Sequence, residues 1–166
     1  HIKANRLNAP ALGSEDDLGE FLFATSRQSL EIVRNGLKKL VNGECFYCGS
    51  TVSHAAEVDH FIPFSSYPRD LVHNFVYAHP KCNRNKSDTL AAFRHLDGWL
   101  KFAERERDSL LEIGEAAGIP GDLRASFSVA EWSYRSASDV GARAWIMGRE
   151  YETVGAHYLR VLSVGN

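Results

Sequence analysis

The stretch EVDHFIPFSSYPRDLVHNFVYAHPKCNRNKSD, residues 57–88, breaks the pattern of the chain around it. On either side apolar residues recur at helical steps. Within it that period is lost, and His, Asn, Pro, Cys and aromatic residues take over. EVDHFIP and NFVYAH read as short strands, separated by a loop holding Ser65, Ser66, Pro68 and Asp70. Asp59 and His60 sit together in the first run and Asn74 opens the second. His79, Cys82, Asn83, Asn85 and Lys86 follow in quick succession.

Two ligand chemistries are interleaved here. The first is soft. Cys45 and Cys48 flank two residues and precede Gly49, and His79 and Cys82 form a second knuckle of the same spacing. A two-residue spacer lets a tight turn aim both side chains at one ion, and two such turns supply the four N/S donors of tetrahedral zinc. The chain has three cysteines, an odd count that argues against a closed disulfide framework, and His79 supplies the fourth corner. The plain alternative is buried free cysteines beside an unrelated histidine. A redox pair is disfavoured because no thioredoxin-like βαβ pattern surrounds it. Four protein ligands leave no open position, so the expected zinc is structural. It would staple the first helix's exit to the helix after Cys82. Cysteines used this way place the chain in a reducing, cytoplasmic compartment.

The second chemistry is hard. Asp59, Asn74 and Asn83 offer oxygen, which suits Mg2+ or Mn2+, and His60 offers a base at neutral pH. Neighbours on a strand face opposite sides, so Asp59 and His60 serve one site only if the backbone turns there, as the approach to Pro63 allows. Taken singly, each residue has an ordinary reading. Asp59 and His60 form a surface ion pair, Asn74 is a turn residue, Asn83 is a helix cap and Lys86 is an exposed charge. Their joint order overturns those readings. VDHFIPFS, then Asn74, then CNRNKSD resembles the HNH endonuclease family, and is particularly similar to the HNH domains of CRISPR effector nucleases. The flanking knuckles resemble its zinc-braced branch, with H-x2-C in place of C-x2-C. The likeness covers about residues 44–88, roughly a quarter of the chain.

The resemblance implies a ββα-metal fold with His60 as general base and Asp59 and Asn83 as ligands of the catalytic divalent ion. It further implies that Asn74 tethers the loop and orients the base, and that Lys86 contacts phosphate. Asn83 stands where some members carry His.

The remaining sequence sets limits. Composition is 44% hydrophobic and 24% charged over 166 residues, which excludes wholesale disorder. A formal net charge of −2 gives no global attraction to nucleic acid, so DNA contact must come from a local patch or a bound cation. Arg69, Lys81, Arg84 and Lys86 are the candidates, with His73 beside them in the loop. No apolar run is long enough to span a membrane. The chain starts at His1 and its one methionine is Met147, which suggests a trimmed or partial sequence.

Residues 1–13 read as an arm. Residues 14–44 read as helix, from a capping box at Ser14 and Asp17 to a stop at Asn42-Gly43. Residues 88–118 read as one long helix with a stripe of Phe93, Leu96, Leu100, Ala103 and Leu110. Residues 128–162 read as one helix kinked near Gly148, or two helices. Their stripe is Val129, Trp132, Val140, Met147, Tyr151, Val154, Tyr158 and Val161, with Gly141, Gly148 and Gly155 as weak points.

The expected architecture is α+β, mostly α, with a central ββα-metal unit braced by zinc and flanked by long helices. Its parts are an arm and helix at 1–43, a nuclease core at 44–95 and a helical extension at 96–166. The expected function is metal-dependent hydrolysis of phosphodiester bonds in DNA. The chain would be the effector of a bacterial or phage restriction or defence assembly, docked through its helical flanks. The alternative is a catalytically inactive, zinc-stabilised nucleic-acid-binding module.

Overall fold

A computed structural model describes residues 25–165. The expected N-terminal arm and the Ser14/Asp17 capping box lie outside the described residues. Helix α1 (Arg27–Leu40) starts at Ser26, whose hydroxyl accepts from the Ser29 amide at 3.0 Å. Val33 and Leu37, one turn apart, are wholly buried. It ends at Val41, followed by Asn42 and Gly43, both at positive φ, as the Asn-Gly pair predicts.

Strand β1 (Glu57–His60) pairs antiparallel with β2 (Phe75–Ala78), with Asp59 opposite Val76 and His60 opposite Phe75. A 3-10 turn, Val72–Asn74, leads into β2. Helix α2 (Pro80–Lys86) follows directly, with Pro80 in its first turn, where a missing N–H costs nothing. It packs on β1.

The single helix expected at 88–118 is two. Helix α3 (Phe93–Arg105) and helix α4 (Arg107–Ala117) are separated at Glu106, whose N–H turns back to the carbonyls of Phe102 and Glu104. Ala103 and Leu110 are seven residues apart, close to two full turns, so the apolar period runs through the break without registering it. The partners differ: α4 lies against α1 and the 3-10 turn, while α3 meets α5, α6 and β3, defined next.

The single kinked helix read at 128–162 is absent, and the two-helix reading holds only at the two ends of the span, with a hairpin between them. Helix α5 (Leu123–Asp139) is followed by a hairpin of β3 (Arg143–Met147) and β4 (Glu150–Thr153), then by helix α6 (Ala156–Gly165). Gly148 has φ +56 at the hairpin turn, a left-handed position that suits a residue without Cβ. The buried face of α5 is Phe127, Ala130, Tyr134 and Ala137, a stripe out of phase with the expected one. Trp132, Val140 and Tyr151 are 63%, 79% and 37% exposed.

The fold is therefore mixed α/β and mostly helical, with six α-helices and two small sheets among the described residues. One core cluster runs from Val33 on α1 to Leu162 on α6. Trp99 stacks on Phe61 with ring centroids 4.8 Å apart, and its indole N–H donates to the His73 carbonyl at 3.0 Å. That pair fixes the loop between β1 and β2 to α3. The segment entering α3 is tied to β3: the Ala92 amide donates to the Trp145 carbonyl, and the Trp145 amide to the Leu90 carbonyl. No helix among the described residues is long and apolar enough to cross a membrane.

Gly114 on α4 sits tightly against Ile119 and against Val72 in the turn before β2. A Cβ there would lie 2.6 Å from the Ile119 carbonyl oxygen and 3.1 Å from Val72 Cγ1. Backbone cannot yield as a side chain does, so Gly114→Ala should destabilise the fold by about 1–3 kcal/mol despite its better helix propensity. Urea unfolding, comparing midpoints at constant m, measures this.

Candidate functional site

The knuckle Cys45–Gly49 is a closed turn. The Gly49 amide donates to the Cys45 carbonyl at 2.9 Å, and Gly49 takes φ +78. Its start is pinned by the Phe46 amide on the Tyr77 carbonyl of β2. His79, the residue before α2, brings the second knuckle alongside. The donor atoms of Cys45, Cys48, His79 and Cys82 all lie within 4.8 Å of one another. Tetrahedral zinc sets its ligand atoms roughly 3.3–3.8 Å apart, so a small contraction closes the shell.

The tautomer of His79 suits this. Nε2 lies 3.2 Å from the Thr51 carbonyl, an obligate acceptor, so it carries the hydrogen. Nδ1 then holds the lone pair, 3.3 Å from Cys48 Sγ. The His79 amide also points at Cys45 Sγ, at 3.5 Å. The three thiols divide in acidity. Burial, with Cys45 and Cys48 alongside, pushes the Cys82 thiol up to about 12. Burial would raise Cys48 too, but hydrogen bonds from the Ser50 backbone and from Cys45 outweigh it and bring it to about 7. This Cys3His set could hold a structural metal such as zinc.

The hard-ligand residues occupy the seam between β1 and α2 as two parallel rungs. Glu57 and Asp59 are two apart on β1, on one face. Asn83 and Lys86 are three apart on α2, on the face that meets it. Asn83 Nδ2 donates to Glu57 Oε1 at 2.9 Å, and the Lys86 ammonium lies 3.6 Å from Asp59 Oδ2. Asp59 and Asn83 are thus diagonal neighbours, each with its own partner.

Asp59 is 6% exposed, and its Oδ2 also accepts from the Tyr47 hydroxyl at 2.5 Å. Burial pulls the Lys86 ammonium below its ordinary value, against the opposing pull of Asp59. Burial, then the charge of Asp59, raises the Tyr47 hydroxyl well above its own.

Lys86 is wholly buried, and its ammonium also donates to the His60 carbonyl at 3.2 Å. The phosphate contact implied for Lys86 is therefore replaced by an internal one. Lys81 and Arg84 are exposed on α2 and Arg69 is half-buried in the loop.

His60 ends β1, directly after Asp59. Its ring sits edge-on to Phe64 and Phe75, at 5.4 and 5.0 Å. Its Nε2 lies 2.7 Å from Asp70 Oδ1. Asn74 is buried and clamps the loop: its Oδ1 accepts from the Ile62 amide at 2.8 Å and its Nδ2 donates to the Ile62 carbonyl at 2.9 Å. Tyr47, Glu57 and Asp70 are participants that sequence reasoning missed. Tyr47 lies inside the first knuckle and Glu57 at i−2 from Asp59, so strand alternation could have found Glu57. No local signal points to Asp70.

The family model for HNH endonucleases matches residues 45–89, the span holding both knuckles, β1, β2 and α2. No curated protein matches the chain.

Zinc uptake by this cluster must displace protons. At neutral pH the Cys82 thiol is protonated, and below about pH 7 the Cys48 thiol is as well. Apparent zinc affinity should therefore fall as pH drops, by about one decade per displaced proton per pH unit, and more steeply below pH 7. Titration with a chromophoric zinc competitor across pH 6–8 checks this. Elemental analysis should find one zinc per chain, lost in Cys82→Ser.

Proposed function

We propose that this HNH chain is a metal-dependent endonuclease that hydrolyses phosphodiester bonds in DNA, with His60 as general base. The observation that carries the reading is the oxygen-rich seam of Glu57, Asp59 and Asn83, with His60 at the end of the same strand and inside the matched segment. It supports a ββα-metal arrangement made of β1, β2 and α2.

The donor set fits a hard cation. Asn83 gives its amide hydrogen to Glu57 and keeps its carbonyl oxygen to offer. Asp59 has both contacts on Oδ2 and keeps Oδ1. Asp59 and Asn83 are the proposed ligands. Mg2+ or Mn2+ bound there would supply positive charge to the phosphate oxygens. His60 takes the proton of a water as its oxygen bonds to phosphorus and the leaving oxygen departs. Asn74 holds in place the loop that follows His60. Lys81 and Arg84, with Arg69, meet backbone phosphates by charge, a local patch on a chain of net charge −2. Unpaired cysteines at the zinc cluster are consistent with a reducing, cytoplasmic setting. The assignment to a restriction or defence assembly, with protein partners on the helical flanks, rests only on the motif's similarity to CRISPR effector HNH domains.

The second reading, an inactive nucleic-acid-binding module, is favoured by one observation. Asp59 already has a resident cation in Lys86 and a hydrogen bond from Tyr47. Plasmid cleavage separates the two. The nuclease reading expects nicking or cutting with Mg2+ or Mn2+ that chelator abolishes. It also expects His60→Ala to slow turnover by about 10²–10⁴-fold while zinc content is kept. DNA binding without cleavage under all metal conditions supports the inactive module. Cleavage that survives His60→Ala unchanged removes His60 from the mechanism.

A further inference from the structure

We infer that Asp70 is the positioning residue for His60: its carboxylate holds the Nε2–H of the imidazole and leaves Nδ1 as the proton acceptor. This rests on the nuclease reading for its functional meaning, but its geometry stands apart from it. Asp70 comes from the loop between β1 and β2, ten residues after His60. Its side chain is 13% exposed and that of His60 is 26% exposed, so the contact is sheltered from solvent.

An ionised carboxylate can only accept a hydrogen bond, so the nitrogen 2.7 Å from Asp70 Oδ1 must carry the hydrogen. In a neutral imidazole the lone pair is then on Nδ1. Nδ1 has no hydrogen-bond partner among the described residues and is left for a water. Phe64 and Phe75 wall the ring edge-on and limit its rotation. Asp70 is itself held: its second oxygen accepts from the Thr25 hydroxyl, just before α1.

The contact strengthens as the reaction proceeds. When Nδ1 takes the proton, His60 becomes a cation against a sheltered anion. The gain falls on the proton-transferred state and not on substrate binding. Removing Asp70 should therefore lower kcat and spare KM.

The test uses the full chain, zinc-loaded and nitrogen-15 labelled. Long-range proton–nitrogen spectra read each imidazole's tautomer, and the His60 signals are those lost in His60→Ala. In the wild type His60 should be in the Nε2–H form. In Asp70→Ala, and in the isosteric Asp70→Asn, the Nδ1–H form should gain population. With plasmid DNA and Mg2+, both variants should lose about 10²-fold or more in kcat with KM within about twofold. A tautomer unmoved in both variants overturns the assignment, as does wild-type kcat in both. The spectra need no activity. A wild type that never cleaves, with the tautomer shift present, therefore overturns the nuclease reading and not the Asp70–His60 link.

Discussion

The Lys86 ammonium, buried between Asp59 and the His60 carbonyl, is the constraint on which the site is built. An ammonium taken out of water is tolerated only with an anion and hydrogen-bond acceptors around it. Both come from β1, so helix α2 cannot slide or rotate on that strand without stranding a charge. Losing one partner of such a pair typically costs about 3–5 kcal/mol. The neighbouring rung, Asn83 on Glu57, inherits its register from this lock. The helix is only seven residues long and has little core of its own, with Cys82 its other buried side chain.

The soft cluster and the hard seam share residues of the same short elements. Tyr47 lies between Cys45 and Cys48, yet its hydroxyl meets Asp59 on β1. Cys82 and Asn83 are adjacent on α2, one in the cysteine cluster and one on Glu57. A metal in the cluster would set the knuckle's position. The knuckle positions Tyr47, and Tyr47 fixes one oxygen of the Asp59 carboxylate. Structural and chemical roles are therefore linked through one phenol and one peptide bond, with no intervening loop to absorb an error.

What could be read from the sequence depended on range. The four donors of the Cys/His cluster follow from two short spacings, and the two strands from short apolar runs bounded by turn residues. The Asn-Gly stop of α1 was equally local. The break at Glu106 was hidden because Ala103 and Leu110 stay in phase across it. The hairpin of β3 and β4 was hidden for a related reason: Met147, Tyr151, Val154 and Tyr158 fall at steps a helix also allows. Only the left-handed glycines Gly141 and Gly148 separate the two readings, and a glycine in a sequence does not announce its φ. Lys86 looked exposed because its burial depends on Asp59, far away in the chain. Asp70 was invisible because a carboxylate in a polar loop is ordinary until a histidine ring is seen facing it.

The segment matched to a family at 45–89 has borders in sequence that are not borders in space. The ring of Tyr47 packs edge-on against Trp145, 5.3 Å away in the hairpin near the other end of the chain, and against His95 on α3 at 5.2 Å. Trp145 and His95 stack on each other at 5.4 Å. The phenol that steadies Asp59 is thus held from behind by residues the match does not include. Those flanks are masonry for the face that carries Asp59, and the matched 45 residues transplanted alone into another host would arrive without the wall they lean on.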